Sequence, residues 1–166
     1  TNKIYRKTYF CSMFSKLFLG IYWLLSHNLH KPLQELDVSI LKEKGFSDSE
    51  ILAVISYIAE KNMGRDNIWN ATPPRSFNEP EVQHISREAR IALQIFQRAN
   101  ILTDQELEEL IENLMEENSP HSNMNFHHKV NLETVCKLAY LMFVQTGSPY
   151  KKDGEIPTFT GKEKIC

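Results

Sequence analysis

Three histidines, His121, His127 and His128, lie in one polar stretch of the chain and are the first candidates for chemistry. Neutral imidazole is the commonest metal ligand in proteins. Adjacent His127 and His128 point in different directions, however, and no cysteine or carboxylate lies at a ligand spacing nearby. His27 and His30 are three residues apart and could share a face, but a simpler explanation is that they lie at the end of a helix, where the helix dipole favours a cation. We therefore expect no metal site.

Acidic side chains form the second candidate group, because residues 104–117 contain seven acids and no Lys or Arg. Paired carboxylates catalyse acid–base steps when burial drives their two pKa values apart. Apolar residues at helical spacing separate these acids, so the carboxylates are predicted to lie on the solvent side of a helix. We interpret them as a solvated, negative face that a basic partner could use.

Motifs for nucleophilic catalysis and phosphate binding are missing from the chain. No serine occurs in a G-x-S-x-G sequence, and no Gly-rich loop is suited to hold a phosphate. Cys11, Cys136 and Cys166 are far apart and form no C-x-x-C pair, which argues against a disulfide framework or a zinc site. The sequence thus predicts a non-enzymatic protein without a cofactor, in a reducing compartment that we expect to be the cytoplasm.

The elements that carry these residues are predicted to be helices packed around one core. The chain has 166 residues, 42% hydrophobic and 24% charged, as expected for a single globular domain. Apolar spacing and capping residues predict an all-α fold of about six helices. They cover about 12–27, a short segment from Pro32 to Gly45, about 48–61, Asn78 to Asn100 as the longest, a helix capped by Thr103 and Glu106, and Asn131 to near Gly147.

The second and third of these helices should form a hairpin near the amino terminus. We expect one helical domain over 1–147, with loops at 62–78 and 119–129, the first of them mobile. Residues 148–166 show no apolar period and are predicted to be a disordered, flexible tail.

The amino terminus partly imitates a secretion signal, because Lys3, Arg6 and Lys7 precede an apolar run over 17–25. Lys16 interrupts the pattern and no small-x-small cleavage site follows. The run is also less than half of the ~20 residues that span a bilayer. We therefore expect a core helix here, without membrane association.

Several packing motifs resemble those of the bacterial Smg family, whose function is not established. Leu41, Gly45 and Phe46, followed by Ile51 and Tyr57, are similar to its helical hairpin. Further similarities are Met13-Phe14, Ile101-Leu102-Thr103, Glu109-Leu110-Ile111-Glu112, Lys137 and Met142. The resemblance covers about 13–147 and implies a helical cytoplasmic protein, but it supplies no catalytic residue, cofactor or substrate.

The first predicted helix is apolar nearly all round, so something must cover it. If the core covered only one side, Leu19, Tyr22 and Trp23 would form an exposed patch of the kind that marks an interaction site. With Arg6 and Lys7 steering the approach, this face would dock onto a partner protein or a second copy of the chain.

Function is therefore predicted to be binding or regulation through protein–protein contacts. The alternative is an accessory protein of a nucleic-acid-containing machine that contacts RNA or DNA through its basic amino terminus. Residues 1–31 carry five Lys and Arg residues and no acid, whereas the whole chain has a net charge of −2. Phosphate contacts would make binding fall steeply with salt, which separates the two hypotheses.

Overall fold

The structure is a computed structural model that describes residues 16–117 and 128–144. Over these residues it is all-α, as predicted, with no strand in the described part of the chain. The helices are α1 (residues 16–27), α2 (Ser39–Glu43), α3 (Asp48–Lys61), α4 (Glu79–His84), α5 (Arg87–Arg98), α6 (Asp104–Glu117) and α7 (Leu132–Phe143). The predicted tail at 148–166 and most of the loop at 119–129 lie outside the described residues.

Helix α1 packs tightly on the hairpin formed by α2 and α3. Phe18, fully buried, meets Tyr57 of α3 edge-on at 5.8 Å and Phe96 of α5 at 5.6 Å between ring centroids. A Cβ at Gly20 would lie 2.7 Å from the Phe46 ring and 2.8 Å from the Val54 side chain. Glycine at this position therefore permits the close approach of α1 to the hairpin.

The predicted hairpin is confirmed. Gly45 adopts a positive φ of 83°, and its N–H donates to the carbonyl of Lys42 at 3.0 Å, which ends the helical turn of α2. Ser47 and Glu50 then form the expected capping box at the start of α3.

The second predicted helix is wrong in its extent, because only a 3-10 turn at Leu33–Glu35 and the five residues of α2 are helical. Fully buried Asn28 explains the break. Its side-chain oxygen accepts the N–H of Asp37 at 2.8 Å, and its amide donates to the carbonyl of Asp37 at 3.0 Å. These bonds hold the backbone of Asp37 outside a helix.

The predicted longest helix, from Asn78 to Asn100, is also wrong, because it is divided into α4 and α5. Between them Ile85 is extended and pairs in parallel with Val130 in an isolated bridge. The N–H of Ser86 donates to Val130 at 2.9 Å, and the Ser86 side chain caps α5. Hydrogen bonds to a distant segment and a new helix cap thus replace the helical hydrogen bonds lost at the interruption. Both α3 and α6 are longer than α5.

Loop 62–78 contains no regular helix or strand, but it packs along α5. Ile68 and Trp69 are buried, at 2% and 7% exposure. The N–H of Asn70 donates to the carbonyl of Arg98 at 2.8 Å, and the side chain of Gln94 donates to the carbonyl of Arg75 at 2.9 Å. The loop therefore covers part of α5, a feature that the absence of apolar periodicity did not indicate.

Candidate protein-binding surfaces

The residues predicted to bind a partner separate into three groups in the structure. Tyr22 is buried at 7% exposure, so it does not contribute an exposed face. Leu19 and Trp23 are only partly buried and pack against the edge of the core. Arg6 and Lys7 lie outside the described residues. The prediction that this face docks onto a partner remains untested.

Tyr22 points toward α5 and α7. Burial, followed by the charge and a hydrogen bond of Glu88, raises the pKa of its hydroxyl above the ordinary value. A smaller contribution comes from the neighbouring Cys136. Tyr22 therefore joins α1 to the core, and its replacement would first affect folding.

One narrow stripe of α1 remains partly or fully accessible. We call it the α1 outer stripe, and it consists of Lys16, Leu19, Trp23, Ser26 and His27. Trp23 is its largest member. The ammonium group of Lys44, which follows α2, lies 4.0 Å from the centre of a Trp23 ring, and the Tyr22 ring lies 5.1 Å away. Trp23 is thus held by its neighbours while it remains partly accessible.

Lys16 anchors the beginning of this stripe to α3. Its ammonium nitrogen lies 2.7 Å from a carboxylate oxygen of Glu50 and 5.0 Å from the centre of the Phe46 ring. Burial alone would raise the pKa of Glu50, but the hydrogen bonds from Lys16 and from the Ser47 N–H lower it below the ordinary value. The ion pair therefore fixes α1 relative to the hairpin.

A second surface, missed in the sequence, lies on the outer side of α3. Leu52 and Met63 are 65% and 76% exposed, the largest values among large apolar side chains in the described part of the chain. Helical spacing assigned Val54 and Ile58 to the core, and both are fully buried. Leu52 falls outside that apolar stripe, which is the signal that would have identified it as a surface residue.

The acids of α6 take structural as well as solvent-facing positions. Glu108 receives hydrogen bonds from Arg75, one of them 3.0 Å long, and Arg75 also forms a two-point contact with buried Glu81 at 2.8 and 2.9 Å. Glu106 caps α6 with Thr103, as predicted. Glu109 and Glu112 are exposed.

The hydrogen bonds from Arg75 are the largest influence on Glu81 and hold the pKa of that carboxyl below its ordinary value, although burial opposes them. Arg75 therefore joins loop 62–78 to α4 and α6. This arrangement is a structural junction of a buried pair with an additional carboxylate.

The described residues contain no group of three or more His, Cys, Asp or Glu side chains that could hold a metal ion. His121 and His127 lie outside them. Within the described ranges, no helix has the length and apolar character needed to cross a membrane.

A family model described as "Protein of unknown function (DUF494)", which is the Smg family, matches residues 21–141. The chain belongs to the Smg family. No curated protein and no solved structure matches the chain. The Smg match begins at Ile21, so it includes Trp23 and the exposed residues of α3, whereas Lys16 and Leu19 precede it.

Membership of the Smg family confirms the resemblance carried by the hairpin motif and the acidic helix. The residues of that motif have clear structural roles, since Leu41 is fully buried and Gly45 makes the turn. The motif residues within the Smg match therefore have roles in packing. Neither the family description nor the motif assigns a reaction.

Proposed function

We propose that this Smg-family protein is a non-enzymatic binding or regulatory protein and that a partner protein contacts its α1 outer stripe. The observation that supports this most is the position of Trp23, which is held by Lys44 at 4.0 Å and by the Tyr22 ring yet is not fully covered. A fixed, partly accessible indole loses little conformational entropy on binding, and tryptophan is enriched among residues that dominate interface energies.

The surroundings of Trp23 suit an interface of ordinary composition. Leu19 extends the apolar area by one helical turn, and Lys16, His27 and Lys44 form a polar rim. Interfaces commonly combine such an apolar centre with a solvated rim. A reducing, cytoplasmic location is part of the proposal, because the widely spaced cysteines suggest no disulfide framework.

The test compares three variants in which one partly accessible apolar side chain becomes serine. Leu19→Ser and Trp23→Ser alter the α1 outer stripe, whereas Ile91→Ser, at a residue 39% exposed on α5, is the matched control. The proposal predicts that a protein copurifying with the unmodified chain is retained by Ile91→Ser and lost with the two α1 variants. Circular dichroism and thermal unfolding must show all three to be folded.

Nuclease treatment and a salt series distinguish the nucleic-acid alternative. If recovery of the partner disappears after nuclease treatment and falls steeply with salt, the accessory role at RNA or DNA replaces the protein-binding proposal. Equal recovery by Trp23→Ser and the unmodified chain would exclude the α1 outer stripe as the contact.

A further inference from the structure

Helix α5 carries a row of basic side chains on the side that faces away from the core. Arg87, Arg90, Gln94 and Arg98 are spaced by three, four and four residues, so they lie along one face of the helix. Arg87 is exposed and the other three are partly exposed, whereas Phe96 on the opposite side is fully buried. We call these four residues the α5 arginine stripe.

The guanidinium groups of the α5 arginine stripe have no acid to neutralise them. In the described part of the chain, no carboxylate lies within ion-pair distance of Arg87, Arg90 or Arg98. The Nε atoms of Arg90 and Arg98 are buried and have no hydrogen-bond partner there. A buried donor on a charged group is costly to leave unpaired. The single chain therefore leaves positive charge and hydrogen-bonding capacity unused on this face.

Three acids near α5 face other partners. Glu88, the only acid of α5, lies beside the Tyr22 hydroxyl on the side of the helix that faces α1. Glu81 and Glu108 both accept hydrogen bonds from the Arg75 guanidinium. These carboxylates are therefore engaged elsewhere and do not neutralise the α5 arginine stripe.

The type and the spacing of these side chains indicate the ligand. Arginine binds phosphate through two parallel N–H donors. Arg87 and Arg98 are about 16 Å apart along the helix axis, so a single small anion cannot reach both, whereas a chain of phosphates can. Partly exposed Phe77 lies beside the stripe, with its ring centre 6.0 Å from the Arg90 guanidinium. An aromatic ring among cations can stack on a base, which favours a nucleic acid over an acidic peptide.

The position of α5 favours a single strand over a duplex. A helix that reads a duplex enters the major groove, so it has to project from its domain. Helix α5 does not project, because loop 62–78 is bonded along it. The N–H of Asn70 donates to the carbonyl of Arg98, and the side chain of Gln94 donates to the carbonyl of Arg75. A flexible single strand can instead follow a basic row on the surface of the domain.

We propose that single-stranded nucleic acid binds along the α5 arginine stripe, where Arg87, Arg90 and Arg98 contact phosphates of one strand and Phe77 stacks against a base. Contacts to phosphate and stacking carry little sequence information, so binding should tolerate many sequences. The site is separate from the α1 outer stripe and from the basic amino terminus. Its test is therefore independent of the proposed function.

Binding is measured by fluorescence anisotropy of labelled oligothymidylate and oligouridylate, about 15 nucleotides long, with the full chain at about 50 to 200 mM salt. Three phosphate contacts predict a slope of about −2 for the logarithm of the binding constant against that of the salt concentration. Changing Arg87 and Arg98 together to glutamine should weaken binding at least about tenfold at low salt and reduce the slope by about 1.4. The matched control changes exposed Lys42 and Lys44 of the hairpin to glutamine and should bind like the unmodified chain. Both variants should keep the original melting temperature.

Phe77→Leu separates stacking from charge. Stacking releases no counterion, so this variant should weaken binding about fivefold or more while the salt slope stays the same. Unchanged affinity would overturn the stacking contact.

Four results would overturn the proposed site. One is the absence of binding to either strand at low salt, and another is equal weakening by the arginine pair and the lysine pair, which would make net charge the cause. A third is loss of binding when Lys3, Arg6 and Lys7 become glutamine, together with full binding by the variant changed at Arg87 and Arg98. The last is displacement of the strand, at equal or lower concentration, by oligoglutamate or by a duplex of the same length, which would make an acidic protein segment or a duplex the ligand.

Discussion

Helix α1 and loop 62–78 are both held closely against the core, but by different kinds of atoms. At α1 the contact is apolar, with Gly20 admitting the Phe46 ring and Phe18 filling the space between α3 and α5. At the loop, buried Ile68 and Trp69 are accompanied by many polar contacts, in which Asn62, Asn70 and Arg75 bond to α5, α6 and the turns beside them. The helix therefore depends mainly on shape, whereas the nonrepetitive segment depends more on satisfied hydrogen bonds.

The difference has an energetic consequence. Apolar packing contributes in proportion to the area and volume that fit, so a truncation at α1 leaves a cavity. A polar contact contributes a modest net amount while intact, but removing one member leaves the other buried without a partner. Substitutions at the two regions should therefore destabilise the fold for different reasons.

Phe18→Ala should have the largest effect. The side chain is fully buried and contacts rings of two other helices, so its removal should cost about 3–5 kcal/mol of unfolding free energy. Urea unfolding followed by circular dichroism measures the loss. Leu52→Ala, at a residue 65% exposed, is the control and should change the free energy by less than about 0.5 kcal/mol. Similar losses for the two variants would contradict the assigned core.

Arg75→Leu should cost about 2–3 kcal/mol, because Glu81 would be left buried without its charged partner. Arg65→Leu is a matched control in the same loop. Arg65 is exposed and makes one side-chain hydrogen bond, to Asn100 at 3.2 Å, so its loss should cost less than about 0.5 kcal/mol. If the two arginines contribute equally to urea stability, the junction at Arg75 does not hold the loop.

Gly20→Ala should destabilise by about 1 kcal/mol, although alanine is the better helix former by a similar amount. The added Cβ would lie within 3 Å of both Phe46 and Val54. The free-energy cost of moving these side chains away should be larger than the gain in helix propensity. A second change, Phe46→Leu, should reduce the penalty in a double-mutant cycle. An increase in melting temperature for Gly20→Ala alone would show that the contact relaxes freely.

The smallest expected effect is a difference in acid stability. Arg75 lowers the folded-state pKa of Glu81 below the ordinary value of 4.5. That contribution is present above the unfolded-state pKa and is lost as the pH falls through the folded-state pKa. The unmodified chain should therefore lose more stability below about pH 4.5 than Arg75→Leu does, in urea titrations at each pH. If the stability of the unmodified chain and of Arg75→Leu changed equally with pH, the ion pair with Glu81 would not be the source of the acid sensitivity.

Sequence periodicity predicted the apolar half of this comparison well. The apolar stripe of α3 and the capping boxes at Ser47 and Thr103 lie where spacing places them, because helical packing repeats and caps are local. It failed at Asn28 and Ile85, where a side chain or a distant backbone segment supplies bonds that end a helix. Such partners are remote in sequence, so no local pattern reveals them.

The candidate surfaces were predicted less completely. The sequence indicated α1 as a place of interest, but the burial of Tyr22 depends on the packing of other helices against α1, since Glu88 and Cys136 of those helices lie near its hydroxyl. The exposure of Leu52 and Met63 likewise depends on which side of α3 the rest of the chain covers. Composition and spacing identify apolar residues, whereas tertiary packing decides which of them remain accessible.

Cys136 is fully buried in α7, so chemical labelling of its thiol would measure local opening of the fold. Burial, with smaller effects of Glu133 and Glu88, raises the pKa of its thiol far above the ordinary value, so the folded protein presents little thiolate. Alkylation at this position should require α7 to separate from α5 and α6. If α7 closes again faster than the thiol is alkylated, the labelling rate of Cys136 gives the free energy of this local opening in the native protein. Peptide mapping assigns the label to Cys136.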